Sequence, residues 1–354
     1  MPAPTPPTRD WVLVYYMSYD NDLAPHAPTI LSALECGVKN SDLLVTVLQD
    51  DKATTGLKRH TLSAEAHETA LLTTDNSASE SVLGDYLSWV AEHYPARHYA
   101  LCFLDHGGNL DEMCLDESPG QGETKHWLSA QLSGSVIRQF CAATEGKLEL
   151  LFLQQCGRGT VENLYNFQGT AATIMASPLK VGAPNTYYAA TLRWLAANKI
   201  ATGLELARQI MANDTDFSLY VCVDGAILDE LPNALAPVVA ELLRDGKTPL
   251  PATGIEPCFR HGNECNYDLL AWLEATFQQN GGDLQALEPF KTWLQQRLIV
   301  ALAHRNSQAS TDLCGLALFA PDSAWAFGQY RDYPIYRETA LGELWRKVYA
   351  TPSE

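Results

Sequence analysis

Hydrophobic positions along this chain fall into short, nearly unbroken runs separated by longer stretches of helical spacing. "WVLVYYM" (11–17) and "LLVTVLQ" (43–49) have strand length and almost no polar interruption. That is the pattern of strands buried on both faces. Between them, a turn-like "SYDND" opens a helical pattern that runs to Leu34. Residues 51–73 alternate and break often, which predicts a hairpin or an edge strand. "SESVLGDYLSWVAEHYP" predicts a helix with a serine cap that stops at Pro95. "HYALCFLD" (98–105) is a third buried strand, a helix fits 128–144, and a fourth strand covers 148–153. A helix opens after Gly159, followed by strands at 171–177 and 218–224.

Strands that alternate with helices and are apolar throughout imply a mostly parallel sheet covered by helices on both faces, an α/β fold. From about residue 226 helical stretches dominate, up to a last helix near 340–349. "LEPFKTWLQQRLIVALAHR" reads as one of these helices, and "LCGLALFAP" (313–321) reads as a further strand that can rejoin the main sheet. The expected organisation is a flexible lead over 1–9, an α/β domain over 10–225 and a helix-rich subdomain over 226–354.

Composition narrows the function. The chain has 354 residues, 46% of them hydrophobic, and a formal net charge of −18. Such a surface repels phosphate backbones and anionic lipid, so neither nucleic acid nor a membrane is an expected partner. It would attract cationic substrates, although solubility alone accounts for it. The proline-rich lead has no apolar core of a signal peptide, and no run reaches the roughly 18 apolar residues of a membrane span. The expectation is a cytoplasmic protein. Nine cysteines, odd in number and irregular in spacing, read as reduced thiols rather than a disulfide framework. "CFRHGNEC" (258–265) contains three metal-ligand types, but no fourth partner stands at zinc spacing, so a loop is expected. The acidic groups at 20–22, 49–51 and 110–117 lack the spacing of an EF-hand loop.

Two strand ends carry candidate chemistry. "LELLFLQQCGRGTVENL" places Cys156 where a strand stops, with Gly157 and Gly159 behind it and a helix ahead. A thiol attacks as its thiolate, so a catalytic cysteine needs an open approach and a group that favours the anion. The positive end of the following helix is the expected source of that help. Backbone N–H groups at such a turn can also hold a tetrahedral oxyanion. "FLDHGG" closes another buried strand on His106, a candidate general acid/base with Gly107 beside it as a second oxyanion donor. If the two strands are neighbours, imidazole and sulfur share one crevice at the carboxyl edge of the sheet.

These two stretches resemble the His-Gly and Cys elements of caspase-fold cysteine peptidases. The opening "WVLVYYMSYDNDL", "CLDES", Glu162, "ASPLKVGAPNTYY", "VCVDGAILDEL", "YDLLAWL" and "GLALFAP" are similar to segments of the clostripain family. The resemblance implies a caspase-like sandwich that cleaves peptide bonds in peptide or protein substrates. In it His106 and Cys156 form the dyad, and the backbone amides of Gly107 and Cys156 form the oxyanion hole. It requires no cofactor for the chemistry, and calcium enters only because some clostripain relatives use it. Family members are processed between histidine and cysteine, a segment that here holds Lys125, Arg138 and Lys147.

One position departs from the pattern. Where the family has a pocket aspartate two residues before the nucleophile, this chain has Gln154, which cannot form the charge-assisted pair that a carboxylate gives arginine. The preference at P1, the residue whose carbonyl is attacked, therefore stays open. It is basic if another acid such as Asp105 or Asp116 faces the pocket, and neutral or acidic otherwise. Gln154, Asp105 and Ser177 are the expected pocket residues, with 176–188 supplying further walls. A rival reading is a catalytically silent relative that binds peptides or a partner protein through the same cleft. Hyperreactivity of Cys156 relative to the other eight thiols separates the two.

Overall fold

The computed structural model describes residues 8–349 apart from 121, 123, 245–250, 252 and 306–311. Most of the expected lead, residues 1–7, lies outside the described residues. β1 (Arg9–Tyr19), β2 (Leu44–Asp51), β5 (Ala96–Leu104), β8 (Leu148–Gln154) and β9 (Thr173–Ala176) form the parallel centre of a nine-stranded sheet. The hairpin of β3 (Lys58–Leu62) and β4 (His67–Leu71) lies antiparallel at one edge, as the broken pattern of 51–73 predicts. At the other edge β10 (Leu219–Asp224) and β13 (Ile299–His304) are antiparallel, giving the order β13-β10-β9-β8-β5-β1-β2-β3-β4.

The alternation within each strand explains the layers. Val12, Val14 and Tyr16 of β1 join one core, while Trp11, Leu13, Tyr15 and Met17 join the other. β5 and β8 divide the same way, with Leu101, Phe103, Leu151 and Leu153 on the first face and Cys102, Leu104, Leu150 and Phe152 on the second. The first face is covered by α2 (Glu80–His93), α3 (Ala130–Ala143), α4 (Val161–Asn166) and helices from the C-terminal third. The second is covered by α1 (Ala27–Val38), α5 (Tyr188–Ala197) and α6 (Gly203–Asn213). Each face removes dozens of large side chains from water at about 25 cal/mol per Å² of apolar area. This is why the strands lack the polar alternation of a one-sided sheet.

Three local expectations are corrected. Ser79 precedes α2, but its hydroxyl bonds the Ser81 hydroxyl at 2.8 Å instead of capping a helix N–H. The stretch 288–304 is helical only to Leu298 and then turns into β13, which pairs with β10. The "GLALF" strand, β14 (Ala317–Phe319), joins β11 (Phe259–His261) and β12 (Glu264–Asp268) in a separate three-stranded sheet rather than the main one. It lies against the turn after Cys156, because Ala317 N–H donates to the Gly159 carbonyl at 2.9 Å. Within the described residues no helix is long and apolar enough to cross a membrane.

Candidate active site

β5 and β8 are adjacent and parallel, in a register that ends with Leu104 opposite Gln154. Two residues further along each strand direction stand His106 and Cys156, so the register delivers both to the same rim. The Gln155 amide donates across to the His106 carbonyl at 3.1 Å, which ties the two strand ends together. Imidazole and thiol line one cavity of about 350 Å³, whose wall includes Gly107, Lys125, Trp127, Lys180, Phe259, Arg260 and His261.

Each functional group has a defined neighbour. His106 Nε2 lies 2.6 Å from Asp22 Oδ1, and the imidazole is about a third exposed. Asp22 sits in the turn after β1, held in place by its neighbour Asn21, whose side-chain amide donates to Asp105, Ser18 and Leu115. The hydrogen bond from His106 holds the Asp22 carboxyl below the usual range. Cys156 Sγ receives the Val181 N–H at 3.3 Å. That contact, rather than the start of α4, is what the sulfur meets. α4 has six residues, and its cap, Thr160, uses its hydroxyl on Asn163 N–H.

The turn amides separate into used and unused. Gly157 N–H donates to Leu179 O, Gly159 N–H to Ser177 O and Gly108 N–H to Glu112 O. Gly107 and Met113 face each other in an antiparallel bridge whose hydrogen bonds are made by the residues on either side. Among the described residues the N–H groups of Gly107 and Cys156 make no hydrogen bond within the protein. A side chain at 107 is excluded, since its Cβ would lie 2.2 Å from the Cys156 carbonyl oxygen. Gly157 has φ +69°, and the Phe259 ring of the hairpin occupies the space its Cβ would need.

Arg158 binds this arrangement together. It is fully buried, and its guanidinium donates to four carbonyls: Cys156 at 3.2 Å, Leu110 at 3.1 Å, Gly108 at 2.8 Å and Asn109 at 3.0 Å. One planar fork thus spans the histidine loop and the cysteine turn. Burial lowers its pKa from the usual arginine value. The arginine between two glycines was the sequence signal for this clamp. Asp22 was visible only as part of the D-N-D-L turn, and no local pattern connects residues 259–261 to a cysteine a hundred positions earlier.

The three expected pocket residues lie elsewhere. Gln154 shares a strand face with Leu150 and Phe152, so it points under α5. There its amide donates to Asn185 and Tyr188, and its carbonyl accepts from Tyr187 at 2.7 Å. Asp105 faces the opposite layer, where it accepts from Asn21 at 2.8 Å and from Leu115 N–H. Burial raises its pKa. Ser177 closes its own turn, accepting the Leu179 N–H at 3.1 Å. All three are buried, and none lines the cavity of Cys156. Asp116 is buried as well, bonded to Ser77 N–H and Ser118 N–H. From the 176–188 segment, Lys180 reaches the cavity and Val181 reaches the sulfur.

Asp20, Asp50 and Asp116 converge behind the site, and burial followed by mutual repulsion raises the carboxyls of Asp50 and Asp116. Among the described residues no group of three or more His, Cys, Asp or Glu is placed to hold a metal ion. "CFRHGNEC" is the β11–β12 hairpin, with the Cys258 thiol directed at backbone carbonyls. Burial pushes the thiols of Cys102, Cys114 and Cys222 up, that of Cys141 to about 11, and those of Cys258 and Cys314 to about 12.

Comparison with known proteins bears on the same region. A family model described as "Clostripain family" matches residues 15–229. No curated protein sequence matches the chain. Among solved structures, an inactive zymogen C11 protease from Parabacteroides distasonis superposes with TM-score 0.70 at 16% identity, covering 94% of this chain and 99% of that one. A secreted C11 cysteine protease from Bacteroides thetaiotaomicron, bound to an irreversible peptide inhibitor, gives TM-score 0.70 at 16% identity, covering 97% and 100%. A second structure of a secreted C11 protease from that organism gives 0.71 at 13%, covering 94% and 100%. At these identities the likeness is one of fold.

Proposed function

This chain belongs to the clostripain family, and from that premise we propose that it is a cysteine endopeptidase that cuts peptide bonds with Cys156 as nucleophile and His106 as general acid/base. One observation carries the assignment of roles. Among the described residues the amides of Gly107 and Cys156 make no hydrogen bond within the protein, and they stand on the same two turns that bring the His106 imidazole and the Cys156 thiol to one cavity. Unpaired N–H groups at such a position are what a tetrahedral oxyanion requires.

In the proposed sequence, the Cys156 thiol passes its proton to His106 as Sγ bonds to the scissile carbonyl carbon, and the oxygen gathers charge against the two N–H groups. His106 passes a proton to the departing amine as the C–N bond breaks. With Nε2 held by Asp22, Nδ1 is the ring nitrogen left to exchange that proton. Water then attacks the thioester, His106 accepts its proton, and the C–S bond breaks to return the thiol and release the acid product.

Cys156→Ala is expected to abolish turnover and leave thermal unfolding within about 1 kcal/mol of the parent, because the thiol is half-buried and fills no core space. A peptidyl acyloxymethyl ketone is expected to label Cys156 ahead of the other eight thiols. Retained hydrolysis in the alanine variant, or labelling spread evenly over the nine cysteines, would overturn the assignment.

A further inference from the structure

The described charges around the cleft have the opposite sign to the protein. The chain carries 42 acidic against 24 basic residues, yet among the described residues the cavity holding Cys156 has Lys125, Lys180, Arg260 and His261 in its wall and no carboxylate. The cations come from three separate segments: the residue just before the short strand His126–Ser129, the loop after β9 and the β11–β12 hairpin. Two acids near this wall are already engaged. Asp22 is bonded to His106, and Glu112 accepts the Asn109 N–H and stands 4.0 Å from His261. Among the described residues, Lys125, Lys180 and Arg260 have no carboxylate within ion-pair distance. Lys125 instead lies over the Trp127 ring at 5.3 Å, which holds its ammonium at the cleft wall. Elsewhere several lysines are paired, as Lys52 is with Glu117, Lys58 with Asp51 and Lys199 with Asp42.

Three cations around one concave surface, without an ion-pair partner among the described residues, in a molecule of net charge −18, form a local positive field that a negatively charged ligand would complete. Gln154, by contrast, offers nothing to a basic side chain, because both of its amide hydrogens and its carbonyl are bonded inside the protein. We propose that the cleft selects acidic peptides, with aspartate or glutamate side chains on both sides of the bond presented to Cys156. This rests on the peptidase reading of the same cleft, but it concerns binding and can be measured without turnover.

The test uses the full chain carrying Cys156→Ala and fluorescein-labelled decapeptides that differ only in the residues flanking the central bond, being Glu/Asp, Gln or Lys. Anisotropy titrations at about 0.05 M salt are expected to give the acidic peptide a Kd at least about tenfold below that of the lysine peptide, with the gap narrowing at about 0.5 M salt. Lys180→Glu and Arg260→Glu, each placed in the alanine background and checked for folding by thermal unfolding, are each expected to shrink that ratio about threefold or more. Lys180→Gln and Arg260→Gln should shrink it less. A lysine peptide that binds as tightly as the acidic one overturns the proposal, as does a ratio unmoved by both charge reversals. A wild-type cut after Lys125 together with tighter binding of lysine peptides would also overturn it, and would mark Lys125 as a substrate of the site. Wild-type turnover is read in parallel. Acidic binding that responds to the reversals, without cleavage of any peptide, upholds the charge selection and removes the peptidase assignment.

Discussion

Replacing Arg158 tests whether the histidine loop and the cysteine turn act as one rigid unit. Arg158→Met keeps the length and apolar stem but removes the donors to the carbonyls of Cys156, Gly108, Asn109 and Leu110. Each hydrogen bond contributes about 1 kcal/mol net, and unpaired buried acceptors cost at least as much. The four together come to about 4 kcal/mol, partly offset because no guanidinium has to be desolvated in the variant. A stability loss of about 3 kcal/mol is expected. The kinetic effect should be larger than the stability effect implies, since the Gly107 and Cys156 amides would lose their fixed separation. Misplacing one oxyanion donor costs about 100-fold in kcat, with a smaller change in KM. The assay is kcat per active site, with sites counted by titration with an irreversible acyloxymethyl ketone, alongside thermal unfolding. Arg158→Lys, a point charge with three donors, should fall between the two. Wild-type kcat per titrated site in Arg158→Met would refute the reasoning. So would a loss of activity matched entirely by a loss of titratable sites, which would reduce the arginine to a folding element.

Gly107→Ala should lower kcat by about 100-fold or prevent folding, because its methyl would overlap the Cys156 carbonyl; a fully active alanine variant would show that this carbonyl can move. Glu162 is buried against Phe319 N–H and the Tyr336 hydroxyl, and burial raises its carboxyl to about 8. In the window between its unfolded value near 4 and that raised value, the native state holds a proton the unfolded chain has released. Stability should therefore fall as pH rises from about 5 to about 8, by up to about 1.4 kcal/mol per unit. Glu162→Gln should flatten that slope in denaturant titrations, and an unchanged slope would place the proton elsewhere. Gln154→Asp is expected to cost about 3 kcal/mol and not to create a preference for arginine, because it removes the donors to Asn185 and Tyr188 and adds a buried carboxylate in the network that ends on Asp214. A stable variant with faster cleavage after arginine would contradict this.

The central strands were legible because both of their faces are packed, which leaves an apolar run no local alternative. Where packing is one-sided, the pattern misleads. Residues 299–304 form an edge strand with no fully buried side chain, so they read as a continuation of the preceding helix. That His106 and Cys156 reach one cavity was legible from chain-local chemistry, namely a cysteine and a histidine at strand ends with glycines behind them. The pocket residues were not, because closeness to the nucleophile in the chain does not say which face of the sheet a side chain occupies. Gln154 is the last residue of β8 and Asp105 the first after β5, yet they point to opposite layers. The cleft wall depends on the hairpin at 259–264, whose approach to Gly157 is a property of tertiary folding alone.

The β13 strand, which crosses back to extend the main sheet beside β10, has a practical consequence for anyone dividing this chain into pieces. A fragment ending near residue 229, where the family match stops, would strip the outer partner from β10 and leave its N–H and C=O groups bare. The same cut would take away Phe259 from beneath the cysteine turn and the late helices from one face of the sheet. Such a piece is expected to be insoluble when expressed alone, and to recover only when the excised remainder is supplied as a second polypeptide.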